Sequence, residues 1–75
     1  MPKECCKTFF ASIPDDEPVF TIAARDLTGA DTVRDWIARC EKLGVNSDKL
    51  ERSRQHLADI ERFQSEHPER CKIPD

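Results

Sequence analysis

The chain carries four cysteines, Cys5, Cys6, Cys40 and Cys71, and two histidines, His56 and His67. Thiolate and imidazole are the ligands of tetrahedral zinc, and a structural ion would stabilise a chain of 75 residues that has little room for a core. The spacing argues the other way. There is no Cys-x-x-Cys pair, and adjacent Cys5 and Cys6 are poorly placed to share one ion. A zinc centre would draw on Cys5, Cys40, His67 and Cys71, which stand as a weak alternative to the expectation of no metal and no cofactor. Cysteine and histidine also supply the nucleophile and base of thiol catalysis, but that chemistry needs a base held in reach and a cleft for substrate, for which so short a chain leaves little room. No catalytic residue is assigned and the chain is expected to be non-enzymatic. Cys40 fits a buried small hydrophobe and the other cysteines free thiols of a reducing compartment.

Charge offers a second chemistry. Asp15, Asp16 and Glu17 form an acidic knuckle, and Arg25, Arg34 and Arg39 lie on or just before a helix, off its apolar stripe. These six residues are the candidates for contact with a partner. Arg25 and Arg34 could instead hold a phosphate, which makes a sponge for an anionic nucleotide-like ligand the first alternative function. Cys40, Gly44, Val45 and Leu50 match the small residue, turn glycine and buried aliphatic positions of a helix-turn-helix, with residues 47–54 as recognition helix. A small DNA-binding regulator is therefore the second alternative. Asp48 and Glu51 on that helix and a formal net charge of -3 oppose it, so nucleic acid is not the expected partner.

The elements that must position these groups are read outward from one turn. In Leu43-Gly44-Val45-Asn46-Ser47, Gly44 can take the left-handed conformation after a helix end, and Val45 can then fold back on Cys40 as in a Schellman cap. Asn46 or Ser47 can accept from a free amide of the next helix, whose first turn holds Asp48. So short a connection favours antiparallel neighbours. The first helix is predicted over about residues 30–43, with Asp26 or Thr28 as N-cap and Thr28 to Asp31 spaced as a capping box. Its stripe is Ala30, Val33, Trp36, Ile37, Cys40 and Leu43, with Trp36 as anchor. The second helix is predicted over about residues 47–66, stopped by Pro68, with the stripe Leu50, Leu57, Ile60 and Phe63. Asp48 with Arg52, Glu51 with Arg54 and Asp59 with Arg62 are spaced to pair on its exposed side.

Ahead of the helices, residues 1–7 read as flexible. Residues 8–24 read as a β-hairpin, with strands at 8–13 and 19–24 around Pro14-Asp15-Asp16-Glu17-Pro18, or as an extended arm on the helices. Residues 68–75 form a polar tail that Cys71 and Ile73 could tack down. The predicted fold is one small, mainly α domain: an antiparallel two-helix hairpin preceded by a short β-hairpin or extended arm. The narrow stripe of the second helix and the high charge predict a homodimer through Trp36, Ile37, Leu57, Ile60 and Phe63. Residues 1–10 carry no apolar run of signal-peptide length and no stretch is long enough to span a bilayer, so a cytoplasmic protein without membrane contact is expected.

Glu17-Pro18-Val19-Phe20-Thr21-Ile22-Ala23-Ala24-Arg25-Asp26, then Val33 and Trp36, then Leu43-Gly44-Val45-Asn46 with Lys49, resemble a group of short uncharacterised proteins of tailed phages and prophages of proteobacteria. That group carries an E-P-V-F strand followed by a V-x-x-W helix, and the likeness covers about residues 15–50. This chain departs from the group after Ile22, where Ala23 stands in place of a frequent basic residue. The resemblance implies a phage setting in a host cytosol and a small inhibitor or adaptor that acts stoichiometrically on a host or defence-system protein. It carries over no catalytic residue.

Overall fold

The computed structural model describes residues 9–74. The expected flexible segment 1–7 lies outside the described residues, and Cys5 and Cys6 with it. Two helices dominate: α1 over Gly29–Lys42 and α2 over Ser47–Glu66, followed by a 3-10 turn at Pro68–Arg70.

The connection between α1 and α2 forms as its residues dictate. Gly44 has φ +74. The Val45 amide donates to the Cys40 carbonyl (3.1 Å) and the Gly44 amide to that of Glu41 (3.2 Å), the two bonds of a Schellman motif. Val45 then packs on the cluster of Ile37, Cys40 and Leu50, together with Val33 and Leu57. The Asn46 side chain accepts from the amides of Asp48 (2.8 Å) and Lys49 (3.4 Å) and starts α2. Two cross-helix ion pairs show how the helices run. Arg54 meets Glu41 at 2.9 Å and Arg34 approaches Glu61 at 3.7 Å, so equal steps of seven residues along the two helices are matched in opposite directions. The helices lie side by side, antiparallel, for at least about 10 Å. A helix-turn-helix unit instead crosses its two helices at a steep angle.

The start of α1 differs from expectation. Thr28 makes no side-chain cap bond, and its hydroxyl and amide both donate to Asp26 Oδ1 (2.7 and 2.8 Å). Asp31, free of any capping box, pairs with Arg34 at 2.5 Å. Gly29 is buried, and a Cβ placed there would stand 3.0 Å from Ile22 Cγ2. Glycine at this position lets the incoming chain lie against the first turn of α1.

The segment before α1 contains no strand among the described residues. Residues 9–12 are helical in place of the expected first strand, with the Ser12 hydroxyl donating to the Phe9 carbonyl (2.6 Å) and Phe9 and Phe10 edge to face. The Glu17 amide closes a turn on Pro14 (3.0 Å), and residues 18–23 continue without regular structure. With the first segment helical, the β-branched residues around Val19 have no neighbouring ladder to join, and their strand preference has nothing to act on.

The tail is tied in more firmly than its polarity suggested. The Lys72 amide donates to the Arg25 carbonyl and the Leu27 amide to the Lys72 carbonyl, both at 3.0 Å, making a single parallel bridge between Asp26 and Lys72. From α2, Gln64 Nε2 donates to the carbonyls of Ala24 (3.0 Å) and Asp26 (2.9 Å). One amide side chain thus holds the loop before α1, while the tail holds it from the other side.

The core is small. Ala30, Ile37, Cys40, Leu50 and Ile60 are its buried hydrophobic residues, and among the described residues no side chain is fully buried. Large apolar side chains remain outside it, among them Phe20 (87 % exposed), Leu43 (81 %) and Trp36 (42 %).

Candidate binding surface

The two long edges of the hairpin differ in chemistry. Along one edge, Arg34, Glu41, Arg54 and Glu61 satisfy one another, with Asp31 and Glu51 (3.9 Å from Arg54) adding further pairs. Along the other edge lies a groove of about 240 Å³ lined by Val33 and Trp36 of α1 and by Lys49, Arg52, Ser53 and His56 of α2. Helical spacing explains the gathering. Trp36 stands about 100° around α1 from Ile37, so it borders the core where Ile37 enters it. Lys49, Arg52 and His56 follow one another at three and four residues and share a side of α2 beside Leu50.

The floor of the groove is apolar and its rim cationic. Neither Lys49 nor Arg52 has an ion-pair partner among the described residues, and the expected Asp48 to Arg52 pair does not form, whereas the Glu51 to Arg54 and Asp59 to Arg62 pairs do. The Ser53 hydroxyl is spent inside α2 on the Lys49 carbonyl (2.9 Å). Burial pushes the His56 pKa below the ordinary histidine value, with Asp59 pulling the other way.

The six partner-binding candidates separate. Asp15, Asp16 and Glu17 are exposed, with no ion pair among the described residues. Arg39 is exposed on α1. Arg25 borders a second, more polar depression of about 310 Å³ with Thr21, Ala23, Asp26 and the tail residues Lys72, Ile73 and Pro74. Asp26 has its pKa lowered first by the Thr28 hydroxyl and then by the Thr28 amide. Arg34 pairs with Asp31 and Glu61, whereas Arg25 borders the second depression.

Of the five residues expected at a dimer interface, four pack at least partly within the single chain. Ile37 (5 % exposed) and Ile60 (3 %) are buried within the single chain, and Leu57 packs on the same cluster. Phe63 is half-buried, its ring 5.0 Å from His67 with the Arg70 guanidinium 4.8 Å above it. Trp36 alone of the five keeps a large exposed surface. Sequence reasoning names it as the anchor of the stripe that holds Val33 but does not group it with Lys49, Arg52 and His56. The three- and four-residue spacing of Lys49, Arg52 and His56 was the available signal.

Among the described residues no group of three or more Cys, His, Asp or Glu side chains is arranged to hold a metal ion. Cys40 is buried near the turn between the helices, while His67 and Cys71 lie past the far end of α2, some 25 Å along the helix from Leu50. The Cys71 thiol donates to the His67 carbonyl (3.4 Å). Cys40 therefore cannot share an ion with His67 and Cys71, and Cys5 lies outside the described residues. No described helix is long and apolar enough to cross a membrane. Comparison with protein families, with curated proteins and with solved structures finds no match to this chain.

Proposed function

We propose that the chain is a non-enzymatic binding protein of phage type, a small homodimeric inhibitor or adaptor that acts stoichiometrically on a host or defence-system protein in the host cytosol. The observation that supports association, the homodimer first, is the groove beside Trp36, an apolar floor rimmed by Lys49 and Arg52 with no carboxylate paired to them among the described residues. A small domain that leaves Trp36 exposed beside this groove, and Leu43 and Phe20 exposed elsewhere on its surface, while pairing the charges of the opposite helix edge, has apolar surface left for association. Its recognition chemistry is that of protein interfaces: an aromatic anchor with charge at the rim.

The test is capture from a lysate of proteobacterial cells on the immobilised chain, followed by calorimetric titration of the purified partner. Saturation at a fixed integer ratio supports stoichiometric binding. A partner chemically altered by substoichiometric amounts of the chain would overturn it.

The same groove favours one second reading. An aromatic wall beside two cations also suits an anionic nucleotide-like ligand, so Trp36, Lys49 and Arg52 offer a second place for the sponge chemistry first expected at Arg25 and Arg34. A nucleotide panel in a thermal-shift assay separates the two, since a ligand at a hundred times its Kd adds about 2.7 kcal/mol of stability. The protein-binding reading expects no shift.

A further inference from the structure

We propose that the groove beside Trp36 is filled by the acidic arm of a second copy of this chain, in a reciprocal two-fold dimer. Phe20 of each copy lies on Trp36 of the other, and Asp15, Asp16 and Glu17 face Lys49 and Arg52. This rests on the reading of the chain as a homodimeric binder and identifies the segment that joins the copies.

Charge complementarity points to this occupant. The carboxylates of the long helix edge are used by Arg34 and Arg54, and Asp59 is used by Arg62. Asp15, Asp16 and Glu17 are three consecutive exposed carboxylates with no ion pair among the described residues, and Lys49 and Arg52 are cations on one groove rim in the same condition. The arm also brings the right apolar group. Val19 and Phe20 follow the acids after Pro18, so apolar and acidic groups that match the apolar floor and the cationic rim lie within six residues of each other.

The arm is built to present that segment outward. Ile22 lies against Gly29 and fixes the root of the arm at the first turn of α1, and the turn closed by Glu17 on Pro14 shapes its tip. Between them Phe20 is 87 % exposed, so the chain's own groove does not take it. A contact that one copy leaves unmade can be made twice by two copies, because in an isologous pair each supplies both arm and groove.

The areas are compatible. With whole aromatic side chains burying about 150–250 Å², the exposed parts of Phe20 and Trp36 amount to roughly 200–300 Å² per copy and about 400–600 Å² across the pair. A specific interface buries about 1,000 Å² or more. Val19, the three acids and the aliphatic stems of Lys49 and Arg52 lie where the remainder must come from.

The test is a charge swap read by light scattering, with helicity checked by circular dichroism. Wild type is expected at twice the 8.6 kDa chain mass. A groove variant (Lys49→Glu with Arg52→Glu) and an arm variant (Asp15→Lys, Asp16→Lys and Glu17→Lys) are each expected at single-chain mass. Mixed in equal amounts they are expected to return to the doubled mass, because both contacts of the heterodimer then join opposite charges. Phe20→Ser removes a side chain that the monomer does not pack, and it too should halve the mass. A wild type at single-chain mass, a dimer unmoved by these variants, or a mixture that stays monomeric would overturn the proposal. None of these outcomes decides whether the chain captures a host partner, which the titration above tests by itself.

Discussion

Gln64 stands where α2, the loop before α1 and the tail meet, and its removal makes a quantitative prediction. Its amide nitrogen donates to the carbonyls of Ala24 and Asp26, forty and thirty-eight residues away in sequence. Each intramolecular hydrogen bond contributes about 0.5–1.5 kcal/mol net, so Gln64→Leu, which keeps the bulk and removes the donor, should release about 1–3 kcal/mol of local stability. The loss should stay local. The loop is held otherwise by the bridge to Lys72, whereas the hairpin rests on the Ile37, Cys40 and Leu50 cluster. Hydrogen exchange reads the two regions separately. The amides of Leu27 and Lys72, which make the bridge, should exchange about 5- to 150-fold faster in the variant, and those of Val45 and Leu50 in the hairpin should not change. Unaltered exchange at Leu27 and Lys72 would show that Gln64 holds nothing. Equal acceleration at all four amides would show that it supports the whole fold and not one loop.

Three further expectations concern the hairpin. Gly44→Ala should cost about 1 kcal/mol, since φ is +74 and no atom stands within 4 Å of the added methyl, so the penalty is conformational alone. That is a fall of about 6 °C in Tm for a chain of this size, and Gly44→Asn, which tolerates the left-handed region better, should fall less; equal loss in both would contradict the argument. Ile60→Ala should cost about 2–5 kcal/mol, a large part of the roughly 4–11 kcal/mol that a domain this small possesses, and urea unfolding would show it as a lowered midpoint at unchanged slope. Because burial lowers the His56 pKa, the unfolded chain binds the proton more readily, so stability falls as pH drops from the ordinary histidine value towards the lowered folded one. His56→Gln should flatten that dependence in urea midpoints taken across pH, and an unchanged slope would remove His56 as its source.

What could be read in the sequence was what local chemistry decides. Gly44, Val45 and Asn46 specify the end of one helix and the start of the next within a few residues, and Pro68 sets where the second helix ends. What escaped depends on distant partners. Phe9 and Phe10 favour strands by type, yet they sit in a helical turn closed by Ser12, and Val19 to Ala23 then lack a strand to pair with. Gln64 gave no sign of reaching back to Ala24, and Lys72 none of bridging to Asp26. At the candidate site, the apolar stripe of α1 was wider than one partner helix covers. Trp36 therefore lies at its margin, and the groove forms between it and Lys49 and Arg52, the second of which the sequence places on the exposed side of α2.

Native mass spectrometry of protein drawn gently from cells tests the central claim most directly. A homodimer of the 8.6 kDa chain, free of small-molecule mass and joined in part of the population to one macromolecular partner at a fixed integer ratio, is the predicted spectrum. A single-chain mass, or a uniform increment of a few hundred daltons marking a retained organic ligand, would contradict it.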